Sequence, residues 1–141
     1  MKTASFSQTR NLTVISRKKG DEKYAARTWD VDRIKDWEIV VNEDIEINQM
    51  LEQFFELQSS MIGKIEGFIP NTIICWTGMY KFNSIVKEDS RRNALNKQLN
   101  EVTREYLGLV FHRFMERKSN PLKIKLNNLY VDPFNPFPSD A

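Results

Sequence analysis

The beginning of the chain alternates apolar and polar residues, and this period of two limits the fold more than any other feature. Over 11–18, Leu12 faces one side of the predicted strand and Ile15 faces the other. The polar segment 18–23 contains a glycine and is long enough to close a hairpin, and 24–31 returns as a second strand. Strands joined by so short a turn pair antiparallel, so we expect an antiparallel sheet at the start of the fold.

The middle of the chain adds further strands and a helix. The segment 37–41 (WEIVV) predicts a short third strand, and the polar residues 42–44 cap the element that follows. Over 45–65 the apolar residues recur at the helical period, which predicts a helix with a broad buried face. The β-branched segment 72–76 predicts another strand, and we expect it to end at Thr77–Gly78.

A long helix and a hairpin close the chain. Helical spacing predicts one helix over 91–117, stopped by Pro121. The segment LKIKLNNLYVDPF predicts two strands around Asn127–Asn128, because asparagine tolerates the positive φ of a tight turn. The predicted fold class is α+β: a mostly antiparallel sheet with helices on one face, followed by a long helix packed on a β-hairpin. We expect domains at 1–78 and 79–141.

The apolar residues of these elements are expected to form the core. With 40% hydrophobic and 11% aromatic residues, the chain has enough apolar surface to pack one. The predicted core residues are Leu12, Val14, Trp29, Ile39, Leu51, Phe54, Phe55, Ile73, Ile74, Trp76, Leu99, Val102, Tyr106, Val110, Phe114, Ile124 and Leu126.

Composition narrows the classes of function. The net charge of +2 permits contact with nucleic acid or anionic lipid without arguing for it. The single cysteine, Cys75, excludes an internal disulfide and a cysteine-based zinc site, and one free thiol suits a reducing compartment. No apolar run approaches the roughly 18 residues of a membrane span. We therefore expect a cytoplasmic protein without membrane contact.

The sequence contains no catalytic constellation. His112, the only histidine, has no cysteine or second histidine to share a metal, which favours a half-buried or surface helix residue. Asp30 and Asp32 have a spacing that suits a divalent cation, but a solvated strand end is the favoured interpretation. Neither a P-loop nor a dinucleotide-binding glycine motif occurs. We predict no catalytic residue and no metal ligand.

Four segments, in this order, resemble one family. KTASFSQTRNLTVISRKKG (2–20) is similar to the helix and strand after the second glycine box of GHKL-type ATPases, the superfamily of gyrase, a heat-shock chaperone, histidine kinases and MutL. TWDVDRIKDW (28–37) resembles the W-D-x-D segment after the hairpin. PNTIICW (70–76) resembles G-T-x-x-x-W, the last strand of the nucleotide-binding sheet. YLGLVFHRFM and LKIKLNNLYVDPFNPF resemble the helix and hairpin that begin the transducer domain. The bacterial histidine-kinase-like ATP-binding proteins near the microrchidia group are the most similar branch.

The resemblance implies a nucleotide site of which this sequence holds a part. In the family, ATP and Mg are held by an acidic-Asn helix with the general base, by an Asp that reads adenine and by a glycine lid, none of which has a counterpart here. The helix after the lid remains, so the resemblance places Lys2, Thr3 and Ser5 at the cofactor, with Lys2 as a phosphate contact. Thr72 matches the family's threonine, whereas Asn71 stands where the family has glycine. ATP and Mg are thus implied for the intact family and no cofactor for this chain alone.

Two hypotheses of function follow. In the first, the chain is a fragment or truncated form of a histidine-kinase-like ATPase that begins just after the glycine lid, retains the relay region and is inactive alone. Its partner would be the remainder of the ATPase or a second copy in a homodimer, because a sheet without its neighbouring strands exposes apolar surface.

The alternative is a stand-alone protein- or nucleic-acid-binding module without catalytic activity. The arginines of the long helix and the aromatic tail, Phe134 and Phe137, would then contact DNA. Glutamates are interspersed among these arginines, which favours a solvated, salt-bridged face over a nucleic-acid stripe.

Overall fold

The computed structural model describes residues 2–33, 39–61, 69–82, 84–127 and 129–137, with the backbone alone at residues 2, 57–61 and 82. The chain forms two compact units, Met1–Ser84 (unit 1) and Ile85–Ala141 (unit 2), whereas the sequence placed the division after residue 78. Helices and antiparallel strands occur together, which confirms the α+β fold class.

Unit 1 is a small antiparallel sheet with helices. Its elements are α1 (Lys2–Phe6), β1 (Thr9–Ser16), β2 (Ala25–Asp30), β3 (Val40–Val41), α2 (Asp44–Met61) and β4 (Thr72–Met79), followed by a 3-10 turn (Tyr80–Phe82). The strand order is β3-β2-β1-β4, and every neighbouring pair is antiparallel. The predicted β1–β2 hairpin is confirmed, and β1 is a central strand.

The last strand of this sheet is longer than predicted. We expected it to end at Thr77–Gly78, but the ladder continues to Met79, which pairs with Thr9. Gly78 has a φ of +70°, and a Cβ built on it would lie 3.2 Å from the Cβ of Arg10. Glycine therefore continues the strand past a crowded neighbour, and the prediction that the strand ends at Thr77–Gly78 was wrong.

The third strand and the first long helix fall partly outside the described residues. β3 confirms a strand at Val40–Val41, and its predicted start at 37–38 lies outside them. At the start of α2, the carboxylate of Glu46 accepts a hydrogen bond from the N–H of Glu43 at 3.0 Å. This is one half of a capping box, with the Glu46 carboxylate as the capping group. Capping by the side chains of residues 42–44 stays a prediction. The predicted end of this helix, at 62–65, also lies outside the described residues.

The core of unit 1 lies on the face of the sheet that α2 covers. Ile15 pairs with both Ala26 and Ile73, and Ile47 of α2 packs on these three residues. All four are at most 5% exposed. The partly buried residues around them are Tyr24, Met50, Leu51, Phe54 and Cys75. The burial of this cluster contributes apolar stabilisation to the unit.

Several predicted core residues are exposed instead. Between 39% and 63% of the surface is exposed for Ile39, Phe55, Ile74, Trp76, Val102, Tyr106, Val110 and Phe114. Ile74 and Trp76 lie on the side of β4 opposite α2, because alternate residues of a strand face opposite sides. In unit 2 a two-stranded hairpin is too small to cover the whole apolar stripe of a long helix.

Unit 2 is an interrupted helix followed by a hairpin. Its elements are α3 (Glu88–Lys97), a π-helical segment (Gln98–Thr103), α4 (Arg104–Met115), β5 (Lys125–Leu126) and β6 (Leu129–Tyr130). The helix predicted over 91–117 is confirmed, but it starts earlier, ends at Met115 and is not uniform. In the π segment the N–H of Arg104 donates to the carbonyl of Leu99, five residues back.

The hairpin is attached to the helix through an arginine. Leu126 pairs with Leu129, and the φ of Asn127 is 45°, which confirms the turn as far as the described residues reach. The guanidinium of Arg104 donates to the carbonyl of Tyr130 at 2.8 Å and to that of Leu126 at 3.2 Å. These bonds confirm a long helix packed on a β-hairpin.

Candidate functional site

Three of the four predicted cofactor-binding residues, Lys2, Thr3 and Ser5, lie on a short helix that leads directly into the central strand. Thr3 is exposed on α1, whereas Ser5 is only 2% exposed. For Lys2 the structure describes the backbone alone, which belongs to α1. The N–H of Tyr80 donates to the carbonyl of Gln8 at 3.0 Å, so the turn after β4 is bonded to the α1–β1 junction. Of the predicted contacts with described side chains, Thr3 alone presents an exposed side chain at this end of the sheet.

The fourth predicted site residue lies at the other end of the sheet. Thr72 is exposed and pairs with Ser16 at the end of β1, whereas α1 enters β1 at Thr9. Seven strand residues at about 3.3 Å each separate these ends by about 23 Å. Thr72 therefore does not share one pocket with Thr3 and Ser5 within unit 1.

Asn71, which the resemblance aligns with a glycine, forms hydrogen bonds with Arg17. Its backbone carbonyl accepts the N–H of Arg17 at 2.9 Å, and its Oδ1 accepts a hydrogen bond from Arg17 Nε at 3.3 Å. The Arg17 guanidinium also lies 5.2 Å from the ring centroid of Tyr24. Asn71 thus connects the start of β4 to the end of β1, and its side chain adds a bond that glycine could not make.

A chain of polar side chains crosses the α2 face of the sheet. The Thr28 hydroxyl donates to Asn42 Oδ1 at 2.9 Å and lies 2.9 Å from the Thr13 hydroxyl. Because the single proton of Thr28 is given to Asn42, Thr13 donates to Thr28. Asn42 Nδ2 in turn donates to Glu46 Oε2 at 3.3 Å. This network connects the central strand to the start of α2, and sequence reasoning missed it.

The opposite face of the sheet is apolar and only partly covered. Leu12 pairs with Trp29 on one side and with Trp76 on the other and is 1% exposed. Trp76 and Ile74 are 42% and 48% exposed. The exposed Trp76 ring next to the aliphatic side chain of Ile74 is typical of a surface that meets another polypeptide.

Two aspartates at the end of β2 and just after it, Asp30 and Asp32, are paired with arginines. Asp32 forms a salt bridge with Arg10, and this hydrogen bond together with the negative charge of Asp32 raises the pKa of Arg10. Asp30 lies 3.5 Å from Arg33 Nε, and its Oδ1 accepts the N–H of Asp32 at 2.9 Å. The structure thus favours the solvated strand end over the cation site. Among the described residues no group of three or more acidic, histidine or cysteine side chains is arranged to hold a metal.

His112 is a packed helix residue. It is 8% exposed, and its Nδ1 lies 2.6 Å from the carbonyl oxygen of Leu109 on the preceding turn. The prediction of a half-buried or surface position underestimated its burial.

Comparison with protein-family models, with curated proteins and with solved structures found no match for this chain. In the described ranges no helix combines the length and apolar character that crossing a bilayer requires.

Proposed function

We propose that this chain supplies the back half of the nucleotide-binding sheet and the start of the transducer of a GHKL-type, histidine-kinase-like ATPase. In this proposal ATP and Mg bind only when the chain is joined by the polypeptide segment that carries the nucleotide-binding boxes. The chain contributes the sheet and the relay region, and by itself it has no ATPase activity. The proposal includes a cytoplasmic location, supported by the single free thiol.

The order of elements carries the proposal. A short helix enters the central strand, a hairpin follows, and β4 returns beside β1, as the resemblance implies for the segments at 2–20, 28–37 and 70–76. The long helix and hairpin then form a separate compact unit, as expected of the start of a transducer.

The edge of the sheet supports the choice of partner. Further strands add to a sheet only at its edges, and the edges here are β3, with two residues, and β4, with eight. β4 contains no charged residue, and charged side chains are a common way to protect an edge strand from pairing. A strand of the remainder of the ATPase pairs along β4 in this proposal. A second copy of the chain pairing there is the competing occupant.

Calorimetry and thermal unfolding test the proposal. ATP with Mg titrated into the chain alone should give no heat. Mixed with a polypeptide that carries the acidic-Asn helix, the adenine-reading Asp and the glycine lid of a bacterial relative, the chain should melt at a higher temperature when ATP is added. At ATP near 100 Kd, this stabilisation amounts to about 2.7 kcal/mol.

Two variants test whether the ATP-dependent stabilisation of the mixture requires pairing along β4. Ile74→Lys places a charge on β4 at an exposed position and should abolish the ATP-dependent shift in the mixture. Val86→Lys, at a residue 86% exposed outside the sheet, should leave it intact. Binding of ATP by the chain alone, or an unchanged melting temperature of the mixture, would contradict the proposal. A homodimer in sedimentation that Ile74→Lys dissociates would identify a second copy as the occupant.

A further inference from the structure

We propose that unit 2 binds single-stranded nucleic acid in a groove at the C-terminal end of α4. The groove has a volume of about 320 Å³ and is lined by Phe114, Arg117, Asn120, Pro121, Leu122 and Lys123. This inference rests on the residues of unit 2 alone and is independent of ATP binding.

A reversal of the chain after the helix forms the groove. The helix ends at Met115, and Asn120 turns the backbone with a φ of 51°. The N–H of Leu122 then donates to the carbonyl of Phe114 at 3.0 Å. This bond holds the returning segment against the last helical turn and leaves a recess between them. The Phe114 carbonyl is one of the last-turn carbonyls that lack a partner within the helix, and this bond satisfies it. The negative potential at the C-terminal end of the helix is thereby reduced.

The cations near the start of the long helix are engaged by other groups, whereas those beside the groove form no ion pair within the described residues. Near the start, Arg92 lies 3.7 Å from Glu88, and Lys97 lies 4.0 Å from Glu101. Arg104 is engaged by the hairpin carbonyls.

The later segment 113–125 contains five Lys or Arg residues and one carboxylate, Glu116. Within the described part of the chain, Arg113, Arg117, Lys118 and Lys123 form no ion pair with a carboxylate. The positive charge that a phosphate backbone needs is therefore concentrated beside the groove.

An aromatic platform lies in the same recess. Phe114 is 44% exposed, and the guanidinium carbon of Arg117 lies 4.5 Å from its ring centroid. The cation–π contact holds the Arg117 guanidinium over the Phe114 ring, and the face of the guanidinium that points away from the ring stays accessible. Bases of single strands stack on aromatic rings and on arginine planes, and cations next to the platform contact the phosphates.

The combination favours a single strand over other anionic partners. A lipid headgroup or an acidic peptide would use the charges and leave the stacking platform unused. A duplex keeps its bases stacked inside, so its backbone would also meet the cations alone. A splayed single strand uses both the platform and the charge.

Fluorescence anisotropy with a labelled oligothymidine of about 16 nucleotides tests this with the whole chain. We expect binding at low salt, with log K falling against log salt at a slope of about −1.4 for two phosphate contacts. The double variant Arg117→Gln, Lys123→Gln, at two exposed residues, should weaken binding at least about tenfold and flatten the slope. Phe114→Leu should weaken binding about tenfold through lost stacking and keep the slope. Arg92→Gln, a matched cation outside the groove, should bind like the unmodified chain.

Several results would overturn the proposal. One is that the chain does not bind the oligonucleotide at low salt. Another is that Arg92→Gln weakens binding as much as the double variant does. The third is that Phe114→Leu binds as tightly as the unmodified chain. Equal affinity for a duplex of the same length would show that the surface reads backbone charge alone. Binding to phosphatidylserine vesicles without binding to the oligonucleotide would assign the groove to a membrane surface.

Discussion

Gly108 of α4 lies so close to the backbone of Asp132 that a Cβ built on the glycine would come within 2.6 Å of the Asp132 carbonyl oxygen. The carbonyl of Gly108 also accepts the N–H of Phe134 at 3.1 Å. The segment after β6 therefore runs directly against the helix backbone, and only a residue without a side chain permits this approach.

Gly108→Ala tests this contact, because the contact determines whether the substitution raises or lowers the free energy of unfolding. In an exposed helix interior, alanine stabilises by about 1 kcal/mol relative to glycine. Here the added methyl group displaces the Asp132 segment, so we expect the free energy of unfolding to fall by about 1–3 kcal/mol in urea denaturation. Glu105→Ala, at an exposed position on the same helix, should change it by less than about 0.5 kcal/mol. A stabilised Gly108→Ala variant would show that the segment does not pack on the helix.

Thr28→Val tests the polar network of unit 1. Valine keeps the shape of threonine but removes the hydroxyl that both Thr13 and Asn42 contact, so two partly buried polar groups lose their partner. We expect the unit to lose about 1–3 kcal/mol of stability.

The control for this network is Thr72→Val, which places the same substitution at an exposed strand position and should be nearly neutral. A double-mutant cycle of Thr13→Val with Thr28→Val should give a coupling energy above about 0.5 kcal/mol. Simple additivity would contradict the hydrogen bond between the two hydroxyls.

Arg104→Gln tests the attachment of the hairpin to the helix. The substitution removes the guanidinium that donates to the carbonyls of Tyr130 and Leu126, at a cost of about 1 kcal/mol. We expect faster amide exchange in β5 and β6 with little change in α4. Arg113→Gln, on the same helix and exposed, should leave hairpin exchange unchanged. Equal exchange in both variants would mean that Arg104 does not stabilise the hairpin.

Cys75 provides a pH-dependent probe of unit 1. Burial raises the pKa of its thiol, because the thiolate is poorly solvated next to the core. The folded chain therefore keeps this proton at pH values where the unfolded chain has lost it, and the contribution to stability decreases as pH rises above about 8.5. Alkylation by iodoacetamide should show a midpoint at higher pH in the folded chain than in urea. A midpoint at or below that of the unfolded thiol would refute this.

The sequence predicted elements better than it predicted packing. The alternation around Leu12 and Ile15 correctly divided β1 into two faces, but alternation does not say which face a helix will cover. The prediction placed Leu12, Ile74 and Trp76 in the same core as Ile73, whereas α2 covers the Ile15 face. The strand end predicted at Thr77–Gly78 was wrong because local sequence rules do not include the Arg10 side chain that lies next to Gly78.

The candidate sites depend on contacts between residues distant in sequence. Thr13, Thr28 and Asn42 are ordinary strand and cap residues until the register of β1 and β2 sets two hydroxyls opposite each other. The groove of unit 2 needs the turn at Asn120, which no repeating pattern marks. The position of Thr72 far from α1 likewise follows from the direction of β4 and not from any local motif.

The π-helical segment between α3 and α4 has a consequence for how related sequences should be compared. Each residue of an α-helix turns the chain by about 100°, and a π turn accommodates one residue more than an α turn. The side chains of α3 are therefore rotated by about one residue relative to an uninterrupted helix that ends in α4. A relative with a straight helix would need a one-residue gap within 98–103 to align both halves. Without that gap, the side chains of α3 would be assigned to the wrong face throughout.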